Sequence, residues 1–189
     1  MKGSCINIRQ AQKSDSTIIA HAVAMAIGDE DAVKSYCGDN YIALLKKISE
    51  SEHTQYSYKN TLIAETDSSI AGVIIGYNGA CLHELRSATY SIIYNELKRT
   101  PSIPDETEAG EFYIDTIAVL PEHRKKGIGK QLIQAMCKKA FSEGHKRVGL
   151  IVDHNNPHAE KLYTSLGFTR VGTKTFLGHK MWHMQYINE

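Results

Sequence analysis

Apolar positions in the N-terminal half of the chain recur first at strand spacing and then at helical spacing. Residues 6–11 alternate apolar and polar side chains, as a strand does when it buries one face. Beyond them, apolar side chains recur every three or four residues, which is the period of a helix face. In order, the pattern predicts strand 6–11, a helix from Ser14 or Asp15 to about Ile27, a helix from Asp39 or Asn40, and hairpin strands 61–65 and 70–76 around Asp67-Ser-Ser.

The C-terminal half alternates strands and helices before it ends in a second hairpin. A polar stretch with two prolines lies between the first helix and the first strand of this half. The predicted elements are a helix at about 82–98, a loop at 100–110, strand 111–119, a helix from Gly127 to about Glu143, strand 147–152, a helix from Pro157 to Leu166, and hairpin strands 168–176 and 180–186. A hairpin followed by strands joined through helices predicts an α/β (α+β) fold, in which helices cover both faces of one mixed sheet.

Length and charge favour one globular domain over residues 1–189, interrupted by a helix and loop at about 81–110. The chain has 189 residues, and 42% of them are apolar, which is ordinary for a globular protein. The 22 basic and 21 acidic residues give a net charge of +1. Since no overall field draws the chain to nucleic acid or to a membrane surface, we expect neither as a partner.

The cysteines and the apolar runs of the sequence indicate the cellular compartment in which we expect the protein. Four cysteines are scattered along the chain without Cys-x-x-Cys or metal-ligand spacing, which favours reduced core thiols over disulfides. No apolar stretch reaches the ~18 residues of a membrane span. We therefore expect a cytoplasmic protein with no bound metal. The sequence leaves the oligomeric state open, and a homodimer is compatible with it.

A basic, glycine-bearing turn joins the predicted strand 111–119 to the helix after it. Gly127 and Gly129 allow close approach to the backbone at a helix start, where N–H groups lack partners and the helix dipole is positive. The turn therefore predicts a binding site for a phosphate-bearing cofactor. It is not a P-loop, because Arg124 and Gln131 stand where glycine and a hydroxyl residue would be needed. It is not a dinucleotide fingerprint either, since the third glycine is absent.

The remaining pattern, Arg-x-x-Gly-x-Gly after a strand and a proline turn, resembles the acyl-CoA site of the GNAT superfamily of N-acyltransferases. A second block, Asn156-Pro-His-Ala-Glu-Lys-Leu-Tyr-Thr-Ser-Leu-Gly-Phe168, is similar to the family's later pattern Asn-x-x-Ala-x-x-Leu-Tyr-x-x-x-Gly-Phe. Two blocks in the right order are more specific than one glycine turn. The resemblance covers residues 115–172 tightly and implies a mostly antiparallel or mixed GNAT-like sheet.

The resemblance implies acetyl-CoA as co-substrate and a set of residues that hold it. The pantetheine arm would pair with the strand backbone, and the diphosphate would bind the turn, while Asn156 equally suits the N-cap of its helix. The implied cofactor-binding residues are Ile117, Ala118, Val119, Arg124, Lys125, Lys126, Gly127, Ile128, Gly129, Lys130, Asn156 and Ala159.

Three residues are candidates for acid–base chemistry. The resemblance implies Tyr163 as the acid that protonates the departing thiolate. Some members of the family carry a glutamate base at the position of Tyr113, which cannot serve readily, so Asp115 and Glu111 on the same strand are the candidate bases. Strict alternation would place Glu111, Tyr113 and Asp115 on one face of the strand, together with Ile117 and Val119.

These features favour an N-acetyltransferase that acts on a primary amine of a small molecule or peptide by direct attack. A protein amino group is an alternative acceptor, and a non-catalytic acyl-CoA sensor is an alternative function. The acidic residues at 105–111 would attract a cationic amine, or would form only a solvated acidic loop.

Overall fold

A computed structural model of the protein describes residues 6–67 and 69–188, so Cys5 and Ser68 lie outside it. Seven strands form one mixed sheet in the order β1-β2-β3-β4-β5-β7-β6, in which β4 and β5 are parallel and the other neighbours antiparallel. The strands are β1 (Asn7–Gln10), β2 (Thr61–Glu65), β3 (Ile70–Asn78), β4 (Phe112–Val119), β5 (Arg147–Asp153), β6 (Thr169–Phe176) and β7 (His179–Ile187). The mixed sheet confirms the predicted fold class.

Six α-helices accompany these strands within the described ranges: α1 (Ser16–Ile27), α2 (Glu30–Cys37), α3 (Tyr41–Ser49), α4 (Leu82–Leu97), α5 (Ile128–Ser142) and α6 (Pro157–Ser165). The sequence patterns missed α2. Its N-cap is Asp29, whose carboxylate accepts the Ala32 N–H at 2.7 Å, and it ends at Gly38 with φ 74°. Both signals were present, but the helix buries only three side chains, too few to produce a visible period.

The helices lie on both faces of the sheet and close a separate core on each. On one face, α5 and α6 pack against the sheet through side chains such as Leu132, Met136 and Tyr163. On the other, α1 to α4 pack through Ile19, Leu45 and others. Cys37 and Cys137 are buried thiols, one in each core, and burial raises the pKa of each to about 12. Cys37 and Cys137 are therefore core thiols, as the sequence predicted, whereas Cys81 is only partly buried.

The parallel pair β4 and β5 separates soon after it begins. Its ladder contains only the pairs Phe112↔Val148 and Tyr113↔Gly149, although β4 continues to Val119 and β5 to Asp153. By contrast, β4 stays paired to β3 as far as Val119, and β5 stays paired to β7 as far as Asp153. The sheet therefore contains a wedge-shaped gap between two strands that are each held from the other side.

A β-bulge in β4 corrects the predicted alternation of its faces. Thr116 pairs with Ile75 and Ile114 pairs with Gly76, so Asp115 is an extra residue without a direct partner. The bulge reverses the alternation, and Ile117 and Val119 pack on the α5 face. The expectation that Ile117 shares a face with Glu111, Tyr113 and Asp115 was therefore wrong, because an extra residue shifts a period of two.

Candidate active site

The glycine-bearing turn presents free backbone N–H groups at the start of α5. Gly127 is its N-cap with φ 77°, and Lys125 before it has φ 61°, so two left-handed residues bend the chain into the helix. The first bond of the helix runs from Gln131 N–H to the Gly127 carbonyl at 3.2 Å. The N–H groups of Ile128, Gly129 and Lys130 precede that bond and are free for an external acceptor, which the helix dipole makes favourable for an anion.

Gly129 places this turn against the gap in the sheet. A Cβ at this position would lie 3.7 Å from Val119 Cγ2 and 3.8 Å from Leu162 Cδ2. The start of α5, the end of β4 and the middle of α6 therefore meet at one place. A larger side chain at Gly129 would extend between β4 and α6.

The basic side chains around the turn differ in what they contact. Arg124 Nε donates to the Val119 carbonyl at 3.1 Å, and its Nη2 lies 3.6 Å from Met25 Sδ on α1. Lys126 Nζ donates to the Glu122 carbonyl at 2.9 Å. Lys125 and Lys130 are exposed, whereas the Ile128 side chain is buried and offers only its backbone. Arg124 and Lys126 thus order the turn, and each remains exposed.

The end of β4 directs backbone groups into the gap. Leu120 N–H donates to the Ala71 carbonyl on the β3 side, so the Val119 carbonyl before it points away from β3, where it meets Arg124. By the alternation of a strand, Ile117 also directs its N–H and carbonyl toward the gap, while those of Ala118 face β3. Two of the three strand residues predicted to hold the arm therefore have groups on the required side.

The first turn of α6 and Tyr163 belong to the helix whose Leu162 approaches Gly129. Asn156 Oδ1 accepts the Ala159 N–H at 3.1 Å, so Asn156 is the N-cap that its sequence position allowed. Tyr163 is 7% exposed and packs beside Phe168, with ring centroids 6.0 Å apart. Burial raises the pKa of Tyr163 to about 12, which keeps the phenol protonated at neutral pH.

Asp115 faces a polar cluster on the α4 side of the sheet. Tyr77 O–H donates to Asp115 Oδ2 at 2.8 Å and lies 3.3 Å from Glu106 Oε1, and Thr116 Oγ1 donates to Asp115 Oδ1 at 2.9 Å. Gln55 Nε2 reaches Tyr77 Oη at 3.2 Å and Glu106 Oε1 at 3.3 Å. Asp115 is partly buried, whereas Glu106 is 4% exposed.

The two carboxyl groups of this cluster have raised pKa values. Burial raises the pKa of Asp115 and outweighs the hydrogen bonds from Tyr77 and Thr116. Burial and then the charge of Asp115 raise the pKa of Glu106, against the opposing effect of Arg86, which forms an ion pair with Glu106. Two like charges close together in a buried place favour retention of a proton.

Glu111 occupies a different environment. Its carboxylate is 2% exposed and accepts from Thr107 Oγ1 at 2.7 Å and Gln185 Nε2 at 2.7 Å, with His183 Nε2 at 2.8 Å. Burial alone would raise the pKa of Glu111, but these hydrogen bonds outweigh it and lower the pKa. The geometry therefore favours Asp115 over Glu111 as a proton acceptor.

Sequence reasoning missed Glu106 as a buried group and did not single out Tyr77, Gln55 or Arg86. One signal was available: the buried positions of α4 are Leu82, Arg86, Thr89 and Ile93, so an arginine stands in an apolar stripe. An arginine at such a position indicates a buried partner. Nothing in the sequence indicated which carboxylate of the acidic stretch it would meet.

The described part of the chain contains neither a cluster of metal ligands nor a membrane-spanning helix. Within residues 6–67 and 69–188, no three His, Cys, Asp or Glu side chains are grouped so as to hold a metal ion. No helix in those ranges is both long enough and apolar enough to cross a membrane.

The chain is similar to known proteins in both sequence and structure. A model of the acetyltransferase (GNAT) family matches residues 31–168. The crystal structure of an N-acetyltransferase from Staphylococcus aureus Mu50 has a TM-score of 0.84 and 30% identity, covering 95% of this chain and 99% of that one.

Two curated relatives match over shorter stretches. The spermine/spermidine N(1)-acetyltransferase of Bacillus subtilis (strain 168) is 29% identical over 82 residues, 43% of this chain and 54% of the relative. The mycothiol acetyltransferase of Thermobispora bispora is 44% identical over 61 residues, 32% of this chain and 20% of the relative. The chain thus spans between about a fifth and about half the length of these relatives.

Proposed function

The chain belongs to the GNAT acetyltransferase family, and from that premise we propose that it transfers an acetyl group from acetyl-CoA to a primary amine of a small molecule or peptide. The amine attacks the thioester directly, with no acyl-enzyme intermediate. We propose that one catalytic unit extends over residues 1–189, with the stretch at 81–110 inserted beside the acceptor.

One observation carries this proposal: the gap between β4 and β5 opens onto the free N–H groups at the start of α5. An extended arm fits between the two strands, where Ile117 and Val119 present backbone groups. A diphosphate at the end of that arm would accept hydrogen bonds from Ile128, Gly129 and Lys130. Lys125, Lys126 and Arg124 would surround it with positive charge.

The reaction requires that protons leave the nitrogen and that one reach the sulfur. A substrate ammonium gives a proton to Asp115, whose raised pKa suits it as a general base. The free amine attacks the carbonyl carbon, the C–S bond breaks, and Tyr163 O–H protonates the departing thiolate. Asn156 and Ala159 at the start of α6 contact the arm. The buried Glu111 stays a second candidate base.

The acidic side chains of the site support the choice of a cationic amine as the acceptor. Asp115 and Glu106 give that side of the sheet acidic character, which favours a cationic amine. A polyamine fits that character, and the relative from Bacillus subtilis is named for spermine and spermidine. A peptide or protein amino group is the alternative acceptor.

The substitution Gly129→Glu tests the cofactor site. Its side chain would enter the gap beside Val119 and Leu162 and would place a carboxylate against the diphosphate. We expect the affinity for CoA, measured by isothermal titration calorimetry, to fall at least about a hundredfold through steric and like-charge repulsion. The matched control is Gly172→Glu, because a Cβ at exposed Gly172 meets nothing within 4 Å. Unchanged affinity in Gly129→Glu would exclude this turn as the diphosphate site.

A non-catalytic acyl-CoA sensor is the second candidate function. Release of free thiol from acetyl-CoA distinguishes the two, when measured with polyamines, amino acids, aminoglycosides and peptides as acceptors. Release with any of these amines supports the transferase. Tight binding of acetyl-CoA without release on any of them supports the sensor.

A further inference from the structure

We propose that Asp115 and Glu106 work as one acid–base pair joined by Tyr77, in which Asp115 takes the proton of the substrate ammonium and Glu106 is a positioning residue that strengthens Asp115 as a base. This inference rests on the proposed function and deepens it. Asp115 and Glu106 are called the carboxyl pair below, and Tyr77 is called its bridge.

The geometry ties the two carboxyl groups to one hydroxyl. Tyr77 Oη lies 2.8 Å from Asp115 Oδ2 and 3.3 Å from Glu106 Oε1. Asp115 is at the bulge of β4 and partly exposed, just beyond the point where β4 leaves β5. Glu106 lies behind it, fully buried, so a substrate reaches Asp115 and not Glu106.

Glu106 is held in place from the side away from Asp115. Arg86 on α4 forms ion pairs with both Glu106 and Asp105 and donates to the Ile103 carbonyl at 3.1 Å and the Pro104 carbonyl at 3.2 Å. One buried arginine thus anchors the polar stretch that carries Glu106. That anchoring keeps the Glu106 carboxyl group beside Asp115, which a solvated loop would not do.

One polar atom inside this cluster, the Gln55 side-chain oxygen, has no hydrogen-bond partner among the described residues. Gln55 is 3% exposed, and its Nε2 is bonded inside the cluster, yet its Oε1 has no hydrogen-bond partner among the described residues. A buried acceptor beside two carboxyl groups suits a site that receives an N–H or O–H donor. Gln55 therefore leaves one hydrogen-bond acceptor of the cluster unused, so the described side chains do not form a closed network.

The electrostatic surroundings of the pair include one cation and several phenols. Arg86 opposes the retention of a proton, whereas the burial of both carboxyl groups favours it. The titratable and charged groups that interact with the pair or with Arg86 are Tyr36 on α2, Tyr56 after α3, Tyr77 on β3, Arg86 and Tyr90 on α4, Asp105 beside Glu106, and Tyr113 on β4. The pKa of each of these phenols is raised, so they stay neutral at the pH of the reaction.

The proton balance gives the pair its role. With both carboxyl groups ionised, the pair accepts one proton from R–NH₃⁺ on Asp115, and the mutual repulsion of the two charges is relieved. The nitrogen then forms its bond to the acetyl carbon, the C–S bond breaks, and the nitrogen loses a second proton as the amide forms. One proton ends on the sulfur, and the other is released from the pair to solvent in the next cycle.

The test compares Glu106→Gln and Tyr77→Phe in two measurements. The first is the titration of the Asp115 carboxyl carbon by NMR in protein labelled with ¹³C at aspartate side chains. The second is the pH profile of kcat/KM with acetyl-CoA and the amine that releases thiol fastest in the panel described above. Glu108→Gln is the control, since Glu108 is an exposed carboxylate of the same stretch.

The two variants should shift the profile in opposite directions. Glu106→Gln removes a like charge, so the pKa of Asp115 and the acidic limb should move down by at least about one pH unit. Tyr77→Phe removes a hydrogen bond to the Asp115 carboxylate, so the pKa of Asp115 and the acidic limb of the profile should both move up. Glu108→Gln should shift neither.

The outcomes separate this inference from the proposed function. An acidic limb and an Asp115 pKa that stay in place in Glu106→Gln would overturn the pair, as would unchanged kcat/KM in Asp115→Asn. A uniform loss of rate without a shift in either variant would mean a purely structural role and also overturn it. If no amine gives turnover, the proposed function fails, and the NMR titration alone still decides whether the two carboxyl groups are coupled.

Discussion

Gly149 lies in β5 against the Glu111 carboxylate, and an alanine there would have no room. A Cβ at Gly149 would lie 1.9 Å from Glu111 Oε2, 2.3 Å from its Cδ and 2.8 Å from its Oε1. Real Cβ atoms do not approach heavy atoms so closely, so Gly149→Ala must displace the carboxylate. Displacement separates Glu111 from His183, Thr107 and Gln185.

The cost combines a steric and an electrostatic contribution. Extra volume in a packed core costs about 1–3 kcal/mol, and separating a buried charge from its partners costs about 3–5 kcal/mol. Since the backbone can relax part of the clash, we expect Gly149→Ala to lower the free energy of unfolding by about 3–5 kcal/mol.

Equilibrium unfolding in urea measures this cost in the natural sequence and in a Glu111→Ala background. In that background the three clashing atoms are gone, so Gly149→Ala should cost less than about 1 kcal/mol. Gly172→Ala is the control, because nothing lies within 4 Å of its Cβ. Equal costs in the two backgrounds would show that the Glu111 carboxylate is not what requires glycine at this position.

Three further substitutions test the site and its surroundings. Tyr163→Phe should lower kcat about a hundredfold and leave CoA affinity unchanged, as stopped-flow turnover and calorimetry would show, and equal turnover would remove it as the acid. Asn156→Ala removes the bond to Ala159 N–H and should lower the free energy of unfolding by about 1 kcal/mol, whereas Asn155→Ala should not. Because the pKa of Glu111 is lowered in the folded protein, its carboxylate contributes stability above its ordinary pKa of 4.5. The free energy of unfolding of the natural protein should therefore exceed that of Glu111→Gln by less as the pH falls below that value. A difference that stays constant with pH in urea unfolding would contradict this.

The elements around the proposed cofactor site were predictable because their signals are local. Gly127 at the start of α5, Pro157 at the start of α6 and the apolar run of β4 each act within a few residues. The order of these elements along the chain then predicted a mixed sheet with helices on both faces. The same locality explains why α2, with few buried positions, was missed.

The proposed acceptor side was less predictable because it depends on long-range pairing. The extra residue at Asp115 becomes visible only when β4 is aligned with β3, and it reverses the faces of Ile117 and Val119. Whether Glu106 is buried or solvated depends on Arg86, which is distant in sequence. A charged residue in an acidic stretch gives no local sign of which choice the fold makes.

The early separation of β4 from β5 creates an interior edge within a continuous sheet. An outer edge strand such as β6 is open to any passing chain, and exposed edges of that kind promote aggregation. Along the interior edge, alternate residues direct their backbone groups into the gap, so these groups recur at about twice the 3.4 Å rise of a strand, or roughly 6.8 Å. From this spacing of backbone groups we expect the gap to favour a flexible, amide-bearing tether over a rigid, flat ring system.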